Sequence, residues 1–248
     1  MKNYLMQSLI VVPNFNEFLN VEPILRTLPE VTPEANVLLV DDGSPDGTAA
    51  RVCELASELG HIEVLHRADE SGLCGAYRTG FEWGIDRGYE HFVGIDCNVS
   101  DDPDTLSSIL EAVETNDIVI ESRYIEGGSV QKWSFLQLLN SRSCNYYLLK
   151  ILGLGVAGST AGFRGYTSKA LEVIDFQTVG ANGYCFQIEM RYRAKCGDAP
   201  IVETPIEFTG RRLGASKMSC AIVIEALLLA TLLKVSQFAE NWQRGLRR

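Results

Sequence analysis

The feature that most constrains this chain is a repeating unit: an apolar, β-branched run stops at polar or acidic residues and gives way to an amphipathic segment. SLIVVP (8–13) precedes a helical pattern from about Glu17, NVLLVDD (36–42) one from about Asp46, and IEVLH (62–66) one near 75–87. HFVGID (91–96) precedes a further helix near 103–115, and DIVIES (117–122) closes the series. Such alternation predicts a mainly parallel sheet covered by helices, a Rossmann-like α/β half.

The remainder predicts helix rather than sheet. Residues 126–165 are rich in Gly and Ser around an apolar helix expected over Leu136–Leu152, with further helices near 168–174 and 183–196. A strand follows at 200–208, and a long helix from about Ser219 to Trp242. No repeat, low-complexity stretch or linker composition divides the chain. At 248 residues it is read as one domain over 1–218, followed by a C-terminal helical segment over 219–248.

Charge and cysteine usage exclude several classes. A net charge of -10 argues against a nucleic-acid partner, so any phosphate must be met by a local basic cluster. Cys53, Cys74, Cys97, Cys144, Cys185, Cys196 and Cys220 never stand in Cys-x-x-Cys spacing, as expected of reduced thiols in a cytoplasmic protein. No basic stretch followed by an apolar core opens the chain. The longest apolar run, Cys220 to Val235, is interrupted by Glu225 and Lys234 and falls short of the roughly 20 residues a membrane span needs. Gly-x-Ser-x-Gly, a Gly-x-x-x-x-Gly-Lys phosphate loop and zinc-spaced histidines are all missing.

Three polar clusters sit where predicted strands end, the edge at which parallel sheets bind ligands. The first is Asp41-Asp42-Gly43-Ser44-Pro45-Asp46-Gly47-Thr48. Asp41 and Asp42 are expected to face a ligand, while Asp46 suits a helix N-cap in a plain tight turn. The second is Pro13-Asn14-Phe15-Asn16-Glu17, which reads either as ligand-facing or as a helix start capped by Asn16. The third, Asp96-Cys97-Asn98-Val99-Ser100, places carboxylate, amide and hydroxyl oxygens at alternate positions. These are hard ligands suited to Mg²⁺ or Mn²⁺ on a diphosphate, although a solvated strand end before Asp102-Pro103 would look the same.

Taken with GLCGAYRTGF (72–81), ESRYIEGG (121–128), AGFRGY (161–166) and RRLGASKM (211–218), these segments resemble the dolichol- and polyprenol-phosphate mannose synthases of glycosyltransferase family 2. The resemblance runs from about residue 9 to about 218. It implies a GT-A fold and an inverting enzyme that moves a hexose, mannose by default, from a nucleotide sugar such as GDP-mannose to a polyprenyl monophosphate or other phosphorylated acceptor. By similarity, Pro13, Phe15, Glu17 and Asp42 hold the nucleoside. Asp96 and Asn98 occupy the Asp-x-Asp positions for metal and diphosphate, with Ser100 able to join the metal shell. Arg123, Arg211 and Lys217 match basic positions facing the donor pyrophosphate and the acceptor phosphate.

Some positions depart from the family pattern. Asn98 replaces the second aspartate of Asp-x-Asp and removes a negative charge from the cation site. Gly158 and Ala161 replace Asp and Ser near Gly162-Phe163-Arg164, and Cys74 replaces a Gly where the backbone could approach a ligand. The alternative these changes motivate is a silent nucleotide-sugar-binding subunit. A lipid acceptor implies peripheral contact at the inner face of the membrane. The C-terminal helix, apolar over Ala226–Ala230 and basic at Arg244, Arg247 and Arg248, suits either that contact or packing in the core or a homo-oligomer.

Overall fold

The computed structural model describes residues 7–33, 35–67, 72–97, 103–131, 133–155, 162–181, 183, 185–208 and 220–246. Its first half is the expected alternation: β1 (Ser8–Asn14), α1 (Phe18–Val31), β2 (Asn36–Asp41), α2 (Thr48–Leu59), β3 (Ile62–His66), α3 (Gly72–Ile85), β4 (His91–Gly94), α4 (Pro103–Val113) and β5 (Ile118–Ser122). The second half comprises β6 (Ser129–Val130), α5 (Phe135–Leu152), β7 (Arg164–Thr167), α6 (Ser168–Ile174), a 3-10 turn (Phe176–Thr178), α7 (Cys185–Cys196), β8 (Ile201–Pro205), β9 (Glu207–Phe208) and α8 (Cys220–Leu246).

Seven strands form one sheet in the order β3-β2-β1-β4-β7-β5-β8. Every pairing in it is parallel except the two made by β7, which runs antiparallel to β4 and to β5. Sequence reasoning treated residues 161–166 as a motif and did not foresee this strand, whose four residues are too short to show a period. Gly165 at its centre has a packing reason: a Cβ there would come within 3.2 Å of Ile109 and Val113 on α4. The expected strand at 200–208 is broken at Ile206, so that β8 joins the main sheet and β9 pairs with β6 as a separate ribbon.

The apolar runs of β1 and β2 are buried on both faces, as a parallel sheet under two helical layers requires. Leu9 and Val11 face one cluster with Tyr77, Phe81 and Phe186, while Ile10 and Val12 face another with Leu25, Val52 and Ile109. Each side chain so buried contributes about 1.5–3 kcal/mol relative to exposure. Cys74 belongs to the first cluster and its thiol donates to the Val179 carbonyl at 3.8 Å. It faces the core rather than a ligand.

α8 resolves into two faces. Ala226 and Ala230 are buried in a third cluster with Leu148 and Leu152 of α5 and Ile188 of α7. Ile224, Leu228, Leu232 and Val235 form a stripe on the other side, each more than half exposed. Among the described residues no helix is long and apolar enough to cross a membrane.

This topology fixes where a ligand can sit. From β1 the chain winds outward through β2 and β3, then returns to place β4 on the other side of β1. The reversal opens a crevice at the carboxyl ends of β1 and β4. Asn14, Asp41, His66, Asp96 and Ser122 lie at or just beyond the carboxyl ends of β1, β2, β3, β4 and β5 in turn.

Candidate active site

One wall of the crevice is a network built around Asp41. Its carboxylate is 1% exposed and accepts hydrogen bonds from Asn14 Nδ2 (2.7 Å), Ser44 Oγ (2.6 Å) and the Ser44 amide (3.2 Å). Ser44 Oγ in turn accepts from the Asn16 amide at 3.0 Å, so the loops after β1 and β2 are tied into one body. The turn needs Gly43 and Gly47, whose φ values of 78° and 89° disfavour any other residue.

Asp46 joins the two helices that start here. One carboxylate oxygen accepts from the Thr48 amide at 3.0 Å and the other from the Phe18 amide at 3.3 Å, at the first residues of α2 and α1. Burial raises the Asp46 pKa, but the hydrogen bonds from Thr48 and Phe18 outweigh it and hold the carboxyl below its usual range. The expected caps shift accordingly. Gly47 takes the N-cap position of α2, and Glu17 rather than Asn16 takes that of α1. Asn16 adopts a left-handed φ of 55° and turns the chain into the loop.

Asp42 and Glu17 are held in the same wall. Asp42 is 3% exposed, with Arg67 Nη1 donating to Oδ1 at 2.5 Å and its own amide donating to the Asn14 carbonyl at 3.0 Å. Asn20 Nδ2 donates to Glu17 Oε2 at 2.6 Å. Pro13 is buried at the end of β1, and Phe15 is half-buried just beyond it.

The opposite wall carries Asp96, Glu121 and Arg123. A Cβ added at Gly162 would lie 3.4 Å from Asp96 Oδ2 and 4.0 Å from Glu121 Oε1, so the two carboxylates flank the space this glycine leaves open. Glu121, at the end of β5, is 1% exposed, and its Oε1 accepts the Gly162 amide at 2.8 Å. Oε2 has no hydrogen-bond partner among the described residues. Burial pushes the Glu121 pKa up to about 7, and the Asp96 charge adds to the rise against the opposing effects of Arg123 and the Gly162 and Phe163 amides. Sequence reasoning passed over Glu121 as part of a motif. An acidic side chain directly after three apolar positions of a buried strand was the available signal.

Arg123 follows β5 by one residue, and its guanidinium lies 4.3 Å over the Phe208 ring and 5.3 Å from the Trp133 ring. The small β6–β9 ribbon supplies Phe208 for this stacking. Arg123 also lines a cavity of about 400 Å³ with Tyr124, Gly128, Arg142, Asn145 and Leu149. Two guanidinium groups opening on one cavity make an anion-binding surface in an otherwise acidic protein.

Of the residues singled out from sequence, the crevice gathers Pro13, Phe15, Glu17, Asp41 and Asp42 on one wall and Asp96 and Arg123 on the other. Asn98, Ser100, Arg211 and Lys217 lie outside the described residues, as do Gly158 and Ala161. Among the described residues no group of three acidic, His or Cys side chains gathers for a metal. Asp96 and Glu121 still offer two carboxylates and one orphaned buried oxygen, a donor set that fits a hard divalent cation.

Residues 9–175 match the family described as glycosyl transferase family 2. The chain belongs to that family. It is 42% identical over 223 residues to a polyprenol monophosphomannose synthase of Mycolicibacterium smegmatis, covering 89% of this chain and 84% of the relative. It is 41% identical over 226 residues to an undecaprenyl-phosphate mannosyltransferase of Micrococcus luteus, covering 91% of this chain and 93% of the relative. Among solved structures, glucosyl-3-phosphoglycerate synthase of Mycobacterium tuberculosis with UDP superposes with a TM-score of 0.68 at 16% identity, over 92% of this chain and 79% of that one. That likeness identifies the fold as GT-A. The family 2 chain described here is accordingly a glycosyltransferase enzyme.

Proposed function

We propose that this glycosyltransferase moves mannose, with inversion, from GDP-mannose to a polyprenyl monophosphate. The observation that carries the reading is the pair of relatives at 41–42% identity, which align over 84–93% of their own lengths and are named as a polyprenol monophosphomannose synthase and an undecaprenyl-phosphate mannosyltransferase. The silent-subunit alternative finds no support in them.

The division of the crevice suits the reaction. Pro13, Phe15, Glu17 and Asp42 hold the nucleoside, with Arg67 and Asn20 fixing the two carboxylates. Asp41 acts through the loop, keeping Asn14 and Ser44 in register so that this wall is set before the donor arrives. Asp96 faces the donor diphosphate and, with Asn98 and Ser100 joining it as the sequence motif implies, would hold Mg²⁺ or Mn²⁺. A structure of the mycobacterial synthase contains Mn²⁺ with UDP-glucose. When bound, such an ion offsets the charge that builds on the leaving diphosphate.

Arg123, together with Arg211 and Lys217, positions the acceptor phosphate against the donor. The acceptor phosphomonoester has a second pKa of about 6, so near neutral pH it is already largely dianionic and needs no strong base to attack. Two phosphates brought together repel, and guanidinium groups at the cavity mouth offset that repulsion. The exposed stripe of Ile224, Leu228, Leu232 and Val235 on α8 supports peripheral contact with the bilayer in which such an acceptor resides.

The test is transfer to lipid. Purified protein is incubated with radiolabelled GDP-mannose or UDP-glucose and undecaprenyl phosphate, with Mg²⁺, Mn²⁺ or chelator, and the organic-extractable product is counted. A mannosyl lipid formed from GDP-mannose is the expected result. Product from UDP-glucose alone would reassign the donor, and nucleotide binding with no transfer to any phosphorylated acceptor would overturn the reading.

A further inference from the structure

We propose that Glu121 supplies a second carboxylate to the cation site and so restores the negative charge that Asn98 lacks. The inference rests on the reading of Asp96 as a cation ligand and adds a residue to it. Divalent ions at substrate diphosphates are commonly held through one or two carboxylates, and an amide oxygen such as that of Asn98 is a poorer ligand. The sequence segment 96–100 contains a single carboxylate, Asp96. A carboxylate from another element is therefore the feature to look for.

Glu121 is that carboxylate. It is 1% exposed on β5, yet only Oε1 has an assigned task, accepting the Gly162 amide at 2.8 Å. Oε2 is buried with no hydrogen-bond partner among the described residues. Among the described residues no ion pair joins Arg123 to Glu121: the guanidinium lies over Phe208 and beside Trp133, and its charge only partly offsets the effect of burial on Glu121. A buried carboxylate oxygen without a partner is costly, and natural proteins keep one where a ligand completes it.

Both carboxylates lie beside Gly162: Asp96 Oδ2 and Glu121 Oε1 are 3.4 Å and 4.0 Å from the point a Cβ would occupy there. Two neighbouring carboxylates repel each other unless a cation or a proton lies between them. A divalent ion bound by the two carboxylates offsets that repulsion and would give Oε2 the partner it lacks.

The experiment measures metal binding rather than turnover. Full-length wild type, Glu121→Gln, Asn98→Asp and the double variant are titrated with Mn²⁺ in the presence of GDP, following free Mn²⁺ by electron paramagnetic resonance. Thermal unfolding with and without Mn²⁺ is measured alongside. Glutamine keeps the shape and can still accept the Gly162 amide, so it tests the charge. Glu121→Gln should weaken Mn²⁺ binding about tenfold or more and abolish the Mn²⁺-induced rise in Tm. Asn98→Asp should restore binding in the Glu121→Gln background and gain less where Glu121 is present, since the two carboxylates serve one ion.

Unchanged Mn²⁺ affinity in Glu121→Gln, or equal gains from Asn98→Asp in both backgrounds, would overturn the assignment. GDP binding in chelator separates this failure from a deeper one. Nucleotide that binds while Mn²⁺ ignores Glu121 removes only the role of Glu121. Nucleotide that never binds to the wild type removes the donor-site reading and this inference with it.

Discussion

The two walls of the crevice are built on opposite plans. On the β1–β2 wall the acidic side chains are paired within the protein: Asp41 with Asn14 and Ser44, Asp42 with Arg67, Asp46 with Thr48 and Phe18, Glu17 with Asn20. On the β4–β5 wall, Glu121 retains a buried oxygen without a partner among the described residues, and Arg123 and Arg142 open on one cavity. The first wall is complete before any ligand arrives and provides shape. The second is completed by what binds, and so substitutions there should be read in activity and ligand affinity more than in folding.

The largest expected effect breaks the second wall. Arg123→Ala removes a positive charge from the cavity while its main packing loss is stacking on Phe208 and Trp133. Loss of a donor aimed at developing charge costs about 10²–10³ in rate, so kcat/KM for mannosyl transfer should fall by that much. Tm should move by only a few degrees, because aromatic–cation contacts of this kind are worth about 1 kcal/mol. A fall in Tm without a fall in rate would dissolve the contrast between the walls.

Next is the pH dependence of Glu121. Its carboxyl is held up to about 7 by burial, so the folded state favours the protonated form. The sign follows: this stability is fully present below the ordinary value of 4.5, and is lost as pH rises through about 7. Metal-free wild type should therefore lose stability across that window, by at most about 3 kcal/mol, where Glu121→Gln stays flat. Urea unfolding from pH 4.5 to 8 in chelator measures the difference. Parallel profiles for the two proteins would mean that Glu121 is not strained.

Breaking the first wall should look different. Asp41→Ala strands the buried Asn14 amide and removes the acceptor of the half-buried Ser44 hydroxyl and amide, which costs about 1–3 kcal/mol for the buried group left unsatisfied and less for those that water can reach. A total loss of about 2–3 kcal/mol is expected by urea unfolding, since neighbouring groups relax together. GDP binding should weaken through loss of loop order, whereas Asp41→Asn, retaining one acceptor oxygen, should fall between. Mn²⁺ affinity should stay unchanged in both.

The same contrast explains what was legible in the sequence. The strand ends at Asn14, Asp41 and Asp96 could be read because an apolar, β-branched run stops abruptly at polar residues, and that pattern is local. β7 could not be read in this way. Its place between β4 and β5 depends on which strands flank it, and four residues carry no period. The roles of Asp41 and Asp42 could not be separated from sequence either, because the two are adjacent. Only Asn14, Ser44 and Arg67, brought in from elsewhere along the chain, distinguish a carboxylate that ties the loop from one held at the crevice. Glu121 lay hidden for a related reason: its neighbour at Gly162 is Asp96, twenty-five positions earlier in sequence and just beyond a different strand.

The smallest expected effect tests whether Asp46 belongs wholly to the first wall. Asp46→Ala removes the acceptor shared by the Thr48 and Phe18 amides at the starts of α2 and α1, a loss of about 1 kcal/mol by analogy with helix caps. Because hydrogen bonding holds the Asp46 carboxyl below its ordinary 3.8, its contribution is present above that value and is lost as pH falls through the lower folded value. The gap between wild type and Asp46→Ala in urea should therefore be constant from pH 5 upward and narrow only below about 4. Asp46→Asn separates charge from geometry, since its side-chain oxygen can accept one of the two amides but not both. A variant that loses GDP affinity tenfold while keeping its stability would move Asp46 from the scaffold to the ligand side of the crevice.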